Sequence, residues 1–325
     1  MLIDNYARRF TYLRLSVTEA CNFRCNYCLP EGTDCSKERR AGELTLPEIR
    51  RLVSGFAQLG TRKVRITGGE PSLRRDLSEI IAICKAVPGI ETVALTTNGY
   101  RLTQDLPNWK AAGLDALNIS IDSLDAARFK LITGHDKLKT ILQGLALAEA
   151  LGIPRIKINS VLMRGFNDDA LNDFLEFVRT RKITLRFIEL MQTGDNKEFF
   201  NQHHLSGSTI AEHLHKRGWV ARAHSLDGGP AREFHHPEYR GGLGLIMPYS
   251  KDFCATCNRL RVSSGGKLFL CLFADQHQNL RDFLQSDDQQ PLVDYLSAAV
   301  KGKAETHHLH NQYVGSTRHL AMIGG

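Results

Sequence analysis

The sequence predicts an α/β fold, a partial TIM-type (β/α)6 barrel followed by a C-terminal module. Three observations lead there. Six short strand-like segments alternate with helical ones between residues 12 and 189, the rhythm of a parallel sheet with crossover helices. Polar or glycine-rich residues stand at the C-terminal end of nearly every strand segment, where a barrel gathers its active site. No G-x-G-x-x-G turn follows the first strand, which removes the usual mark of a doubly wound dinucleotide fold.

Taken in order, residues 12–17 alternate polar and apolar side chains and run as a strand directly into Cys21, Cys25 and Cys28, a C-x3-C-x2-C loop. The next segment, through Gly32, Cys35 and the charge run at 37–40, has no period and reads as an exposed loop able to cover a site. Pro47 opens a helix with apolar positions Ile49, Leu52, Val53, Phe56 and Leu59, ended by Gly60. Strands at 63–67, 92–96, 116–121, 155–161 and 183–189 then alternate with helices at 77–87, 102–112, 138–151 and 168–180. The strand ends carry Gly68-Gly69-Glu70-Pro71, Thr97-Asn98-Gly99 and Asp122-Ser123-Leu124-Asp125, the last leading into a short helix. Beyond Met191 the rhythm breaks. Residues 203–220 form one helix, 226–244 are rich in glycine, histidine and proline, and a second module starts near Leu245 and closes with a helix at 292–301. The expected division is a barrel at 1–225 and a C-terminal region at 226–325. His307, His308, His310 and His319 read as a polar, solvent-exposed tail.

Forty-two Lys and Arg against thirty-five Asp and Glu give a net charge of +7 over 325 residues. This excess favours a phosphate-rich partner but is too scattered to demand nucleic acid, and no aromatic residues interleave with the basic ones as a base-stacking platform needs. Neither an N-terminal apolar h-region nor a run of membrane-spanning length occurs, so the expectation is a cytoplasmic protein without membrane contact. Of eight cysteines, six fall into two tight groups, which suits metal sites in a reducing compartment better than a secreted disulfide framework.

Three thiolates on one short loop suit an iron-sulfur cluster, because each iron takes a soft ligand and a four-iron cube is left with one open corner. A disulfide with a spare thiol, or structural zinc, are the alternatives. Cys254, Cys257 and Cys271 repeat the pattern as C-x2-C-x13-C, with zinc completed by His277 as the alternative there. Asn258-Arg259-Leu260-Arg261 follows, placing two cations on one side if the stretch is extended. Lys63, Arg65 and Thr67 also share a period of two, as do Lys157 with Asn159 and Arg14 with Ser16, while Arg186 sits on the sixth strand. Turned inward, these cations would be costly to bury unless an anion arrives, and a polyphosphate fits; the alternative is solvated faces or pairing with acids on loops.

Larger motifs join these features: residues 13–18 (LRLSVT), Cys21 to Cys28 with Tyr27 just before the last cysteine, 65–71 (RITGGEP), 96–99 (TTNG), 118–122 (NISID), 186–189 (RFIE), 253–261 (FCATCNRLR) with Cys271, and Ile323-Gly324-Gly325. On them the whole chain resembles the GTP 3',8-cyclases of molybdenum cofactor biosynthesis, members of the radical S-adenosylmethionine (SAM) superfamily. The resemblance implies two 4Fe-4S clusters, one on each cysteine triplet. The first would bind SAM, with Tyr27, Gly69, Ser120 and Met191 around it; a glycine at 69 allows close approach to the methionine moiety. GTP would lie between the clusters, held by Arg14, Arg65, Thr96, Lys157, Arg259, Leu260 and Arg261, with guanine near the second. A 5'-deoxyadenosyl radical would take the hydrogen from C3', and C3' would attack C8 to give (8S)-3',8-cyclo-7,8-dihydroguanosine 5'-triphosphate. Arg261, Gly324 and Gly325 would be catalytic, the double glycine threading into the site. An electron donor and a downstream cyclic pyranopterin monophosphate synthase are the implied partners, and monomer and homodimer are both left open. A peptide-modifying radical enzyme with an auxiliary cluster is the rival reading.

Overall fold

The computed structural model describes residues 1–29, 42–223, 229–311 and 313–324. The loop expected through Cys35, and Gly325, lie outside them. β1 (Tyr12–Ser16), β2 (Lys63–Thr67), β3 (Thr92–Thr97), β4 (Ala116–Ser120), β5 (Arg155–Leu162) and β6 (Thr184–Glu189) pair in parallel, each with the next. Between them stand α1 (Leu46–Gln58), α2 (Leu77–Ala86), α3 (Leu102–Ala111), α4 (Ala126–Thr133), α5 (Leu138–Ala150) and α6 (Leu171–Arg179). α1 starts at a capping box: the Thr45 hydroxyl accepts from Glu48 N, and the Glu48 carboxylate accepts from Thr45 N at 2.8 Å.

In place of the helix expected at 203–220 the chain forms the shorter α8 (Gly207–Lys216), preceded by a separate helix, α7 (Lys197–His203). His204 leaves helical geometry to form a β-bridge with Met163, and Ser206 then caps α8 by accepting from Ser208 N. The described part of the glycine-rich stretch also contributes strands to the sheet. After β7 (Val220–Ala221) come β8 (Arg232–His235), β9 (Gly242–Ile246), β10 (Arg259–Val262), β11 (Lys267–Phe269), β12 (Gln278–Asn279) and α9 (Gln290–Ala299). β9 pairs in parallel with β6, and β10 in parallel with β1. Among the described residues the six expected parallel strands therefore become eight, with antiparallel strands beyond each edge of one twelve-stranded sheet. That sheet continues across the boundary expected at 225, since β7 and β8 are paired.

β9 and β10 are consecutive in the chain, lie at opposite edges of the parallel array and point the same way. The connection 247–258 must therefore return from the C-terminal end of the strands to the N-terminal end. It carries Cys254 and Cys257 away from the Cys21 loop, which leaves β1 at its C-terminal end. β11 runs antiparallel to β10 and brings Cys271 back to the same end as Cys254 and Cys257. The two cysteine groups thus occupy opposite mouths of the partial barrel.

Buried Arg8 ties this second mouth to the N-terminal segment and to residues 304–305. It pairs with Asp4 at 2.6 Å and donates to the carbonyls of Cys254 (3.2 Å), Ala304 (2.6 Å) and Glu305 (2.6 Å). The tail is not wholly exposed, contrary to expectation. His307 is buried with its ring against Phe253 and Phe273, and burial holds its imidazole below the usual range.

Candidate active site

One cavity runs through the barrel and reaches both cysteine groups. The period of two decides what lines it. Tyr12, Arg14, Lys63, Arg65, Thr67, Thr96, Asn118, Ser120, Asn159, Arg186, Arg259 and Arg261 face inward, while intervening Leu13, Val64, Ile66, Leu95, Ile119, Ile158, Phe187 and Leu260 enter the apolar core.

At the first mouth, Cys28 N and Leu29 N donate to Cys25 O at 3.0 and 2.9 Å, and Arg24 N and Asn26 N donate to Thr133 O and Ile132 O. Burial, with the Asp122 carboxylate and the neighbouring thiols, holds Cys25 well above the usual thiol range. Burial pushes Cys28 up to about 12, although the backbone N–H groups of Ala321 and Leu320 act against it. Three soft sulfur donors on one turn fit an iron-sulfur cluster, whose positive irons would hold them as thiolates. No disulfide joins the described cysteines.

Tyr27, Gly69, Ser120 and Met191 all border this end of the cavity. The Tyr27 hydroxyl donates to Asp122 Oδ2 at 3.0 Å, and Val161 N donates to Asp122 Oδ1 at 2.8 Å; burial raises the Asp122 carboxyl to about 6. Asn196 was not singled out in the sequence, yet its Nδ2 donates to Tyr27 O (3.3 Å) and Met191 O (3.0 Å), coupling the two. Gly69 also has a packing reason that the sequence did not suggest. A Cβ there would stand 2.6 Å from Glu19 O and closer still to Ala20 O, while Gly69 N donates to Thr18 O at 2.8 Å. The missing side chain lets the turn after β2 pack on the entry to the cysteine loop.

Across β10, β1 and β2 the register places Arg261, Arg14 and Arg65 abreast, and Arg259, Tyr12 and Lys63 abreast one step below. Five cations and a phenol therefore form one array. Arg65 Nε donates to the Tyr12 hydroxyl, and its Nη1 donates to Thr96 Oγ1 at 3.0 Å. Burial lowers Arg14 to about 10 and Lys63 to about 8, with neighbouring arginines contributing to both shifts. Burial drives Arg261 well down, with Arg14 and Arg259 adding to it. For Tyr12, burial acts upward but is outweighed by Arg65, Arg14 and Lys63, which bring the phenol down to about 6. Such a site is poised for a polyanion. Tyr12 was missed, although it sits two residues before Arg14 in the same alternation.

The described end of the tail enters this array. Gly324 O accepts from Arg14 Nε at 3.2 Å and from Arg261 Nη1 at 3.1 Å, and Gly324 is buried at φ +63° against Thr67. Two expected substrate contacts depart from the pattern. Leu260 is not in the cavity lining: its side chain points into the core beside Leu13, so a contact with substrate would have to come from its main chain. Lys157 does not line the cavity, because its ammonium pairs with Glu233 at 3.2 Å.

At the second mouth Cys254, Cys257 and Cys271 border the cavity with Arg259, Lys303 and Arg8. Burial opposes ionisation of Cys257, but Arg259, Lys303 and Arg8 prevail and bring it to about 6. His277, the alternative zinc ligand, instead stacks on Phe269 with centroids 5.4 Å apart. Among the described residues no three His, Cys, Asp or Glu side chains converge closely enough to hold a single metal ion.

A radical SAM superfamily model matches residues 15–178, and a molybdenum cofactor synthesis C-terminal model matches 183–309. The chain is 53% identical over its full 325 residues to the GTP 3',8-cyclase of Cronobacter sakazakii, covering 99% of that protein. The chain belongs to the GTP 3',8-cyclase family. Cyclases of this family are radical SAM enzymes, and this chain carries the SAM-binding domain of that superfamily. Solved structures share the fold at much lower identity. Streptococcus suis SuiB bound to SAM matches at TM-score 0.63 and 12% identity, over 90% of this chain and 68% of that one. The anSMEcpe structure with bound SAM and a peptide matches at TM-score 0.55 and 13% identity, over 89% and 84%.

Proposed function

We infer that this chain cyclises GTP to (8S)-3',8-cyclo-7,8-dihydroguanosine 5'-triphosphate with SAM as co-substrate. The observation that carries the reading is the array of Arg261, Arg14, Arg65, Arg259 and Lys63 lying between two cysteine triplets at opposite mouths of one cavity. A 4Fe-4S cluster on Cys21, Cys25 and Cys28, with SAM bound to it, would supply a 5'-deoxyadenosyl radical. The superfamily match and the three cysteines together at this mouth of the cavity support that cluster. A second cluster on Cys254, Cys257 and Cys271 is supported by three cysteines at one mouth among cations. A cube spreads its ligands further than one ion does, since its irons occupy separate corners.

Tyr27, Gly69, Ser120 and Met191 would border SAM. Arg14, Arg65, Arg259, Arg261 and Thr96 would hold the nucleotide, with Leu260 contributing its main chain. Guanidinium forks suit phosphate and charge that builds up on an anionic nucleotide. The wall of Phe269, Leu272, Phe273 and Ile323, with Met191 and Met322 packed on it, would keep water from a radical. Gly324 would shape the space above the arginines. In this reading residues 1–225 house SAM cleavage and 226–325 complete the substrate side. An electron donor, a cyclic pyranopterin monophosphate synthase to take the product, and a cytoplasmic setting are further parts of the proposal. No helix among the described residues is long and apolar enough to cross a membrane.

Anaerobically purified protein should hold about eight irons with matching labile sulfide. With reductant and SAM it should form 5'-deoxyadenosine only when GTP is added. Zinc at the thiols, or equal 5'-deoxyadenosine without GTP, would overturn the reading.

A further inference from the structure

Glu233 on β8 lies opposite Gly244 on β9, and Gly244 lies opposite Arg186 on β6. All three therefore share one side of the sheet. Gly244 leaves the space between its neighbours open, for a Cβ there would stand 3.3 Å from Arg186 Cγ. Through this gap the Glu233 carboxylate reaches Lys157 Nζ at 3.2 Å and Arg186 Nη2 at 3.5 Å. Arg186 lines the cavity with its side chain 9% exposed, whereas Lys157 is held out of the lining. The Glu233 side chain is 39% exposed, so it has a route to water that Arg186 lacks.

We propose that Glu233 is a resident counter-charge which the triphosphate of the substrate must displace, and that it thereby sets the enzyme's affinity for nucleotide. The inference rests on the cyclase reading. While the site is empty, Arg186, with 9% of its side chain exposed, and the partly buried Lys157 beside it need an anion, and Glu233 supplies it. An arriving triphosphate brings more negative charge than these cations need, and the carboxylate then repels the phosphates and competes for Lys157 and Arg186. Swung toward solvent, Glu233 releases Lys157 to turn into the cavity beside Arg186. Glu233 is a positioning residue: it acts on substrate through Lys157 and Arg186.

The test compares wild-type holoenzyme with Glu233→Gln, which keeps the shape and removes the charge. Iron content and thermal midpoint at wild-type values establish that the variant is folded. Glu233→Gln should bind GTP about tenfold more tightly, with KM falling while kcat holds. Guanosine, which has no phosphate, should bind both proteins alike. In a Lys157→Ala background the gain from Glu233→Gln should be smaller, because one of the two contested cations is gone. Unchanged or weaker GTP binding in Glu233→Gln, or an equal gain for guanosine, overturns the proposal while leaving cyclase activity standing. A wild-type enzyme that neither binds nor converts GTP removes the cyclase reading and this inference with it.

Discussion

Gly324→Ala should lower GTP turnover by about 100-fold or more, with iron content and SAM binding unchanged. Gly324 sits at φ +63°, where an L side chain is strained by roughly 1–2 kcal/mol. The added Cβ would also fall inside contact distance of Thr67 Cγ2 and stand 2.8 Å from Thr67 Oγ1. Thr67 is buried on a central strand and has little room to yield. Relief must come from the tail, which would pull the Gly324 carbonyl off Arg14 and Arg261 and displace both guanidinium groups. A shift of about 1 Å in reacting groups is enough for the stated loss. Thr67→Ser removes the methyl that the new Cβ meets first, so Thr67→Ser combined with Gly324→Ala should recover part of the rate. Full activity in Gly324→Ala would show that the tail has no part in the reaction.

Arg261→Ala should reduce kcat/KM for GTP by about 1,000-fold, near 4 kcal/mol, while SAM binding changes little. Arg261 stands in register with Arg14 and close to the charge of Cys257 and Cys271, and it donates to Gly324 O at 3.1 Å and Ile323 O at 3.5 Å. Its removal takes away a buried donor, a cation of the array and an anchor of the tail together. Arg261→Lys should restore little, because one ammonium cannot span the same partners as a planar fork. Steady-state kinetics with equilibrium binding of SAM separates these effects. A tenfold change or less, or rescue by lysine, would count against the assigned role.

The barrel strands were legible because each is a short segment with apolar residues, in alternation or in a run, between turn signals, and β2 was placed to the residue at Lys63–Thr67. β9 and β10 were not. Gly242–Ile246 alternates glycine with apolar residues and offers no polar face to read, and its partner strand lies far back in the chain. The cysteines and most of the inward arginines followed from spacing and period. Their register did not: that Arg261, Arg14 and Arg65 lie abreast depends on β10 docking at the edge of β1. Lys157 shows the same limit, because its alternation was correctly read but Glu233, 76 residues away in sequence, draws its charge aside. For Gly69 the close approach of the Glu19 and Ala20 backbone was not legible, because it depends on how the turn after β2 packs on the cysteine loop.

The central claim is that a radical formed at the Cys21 mouth acts on the ribose of a nucleotide held by the arginine array. Incubating the reduced, iron-loaded protein with SAM and GTP deuterated at C3' tests it most directly, with mass spectrometry of the 5'-deoxyadenosine released. Deuterium from C3' should appear in the 5'-deoxyadenosine. Unlabelled 5'-deoxyadenosine formed alongside consumed GTP would contradict the account.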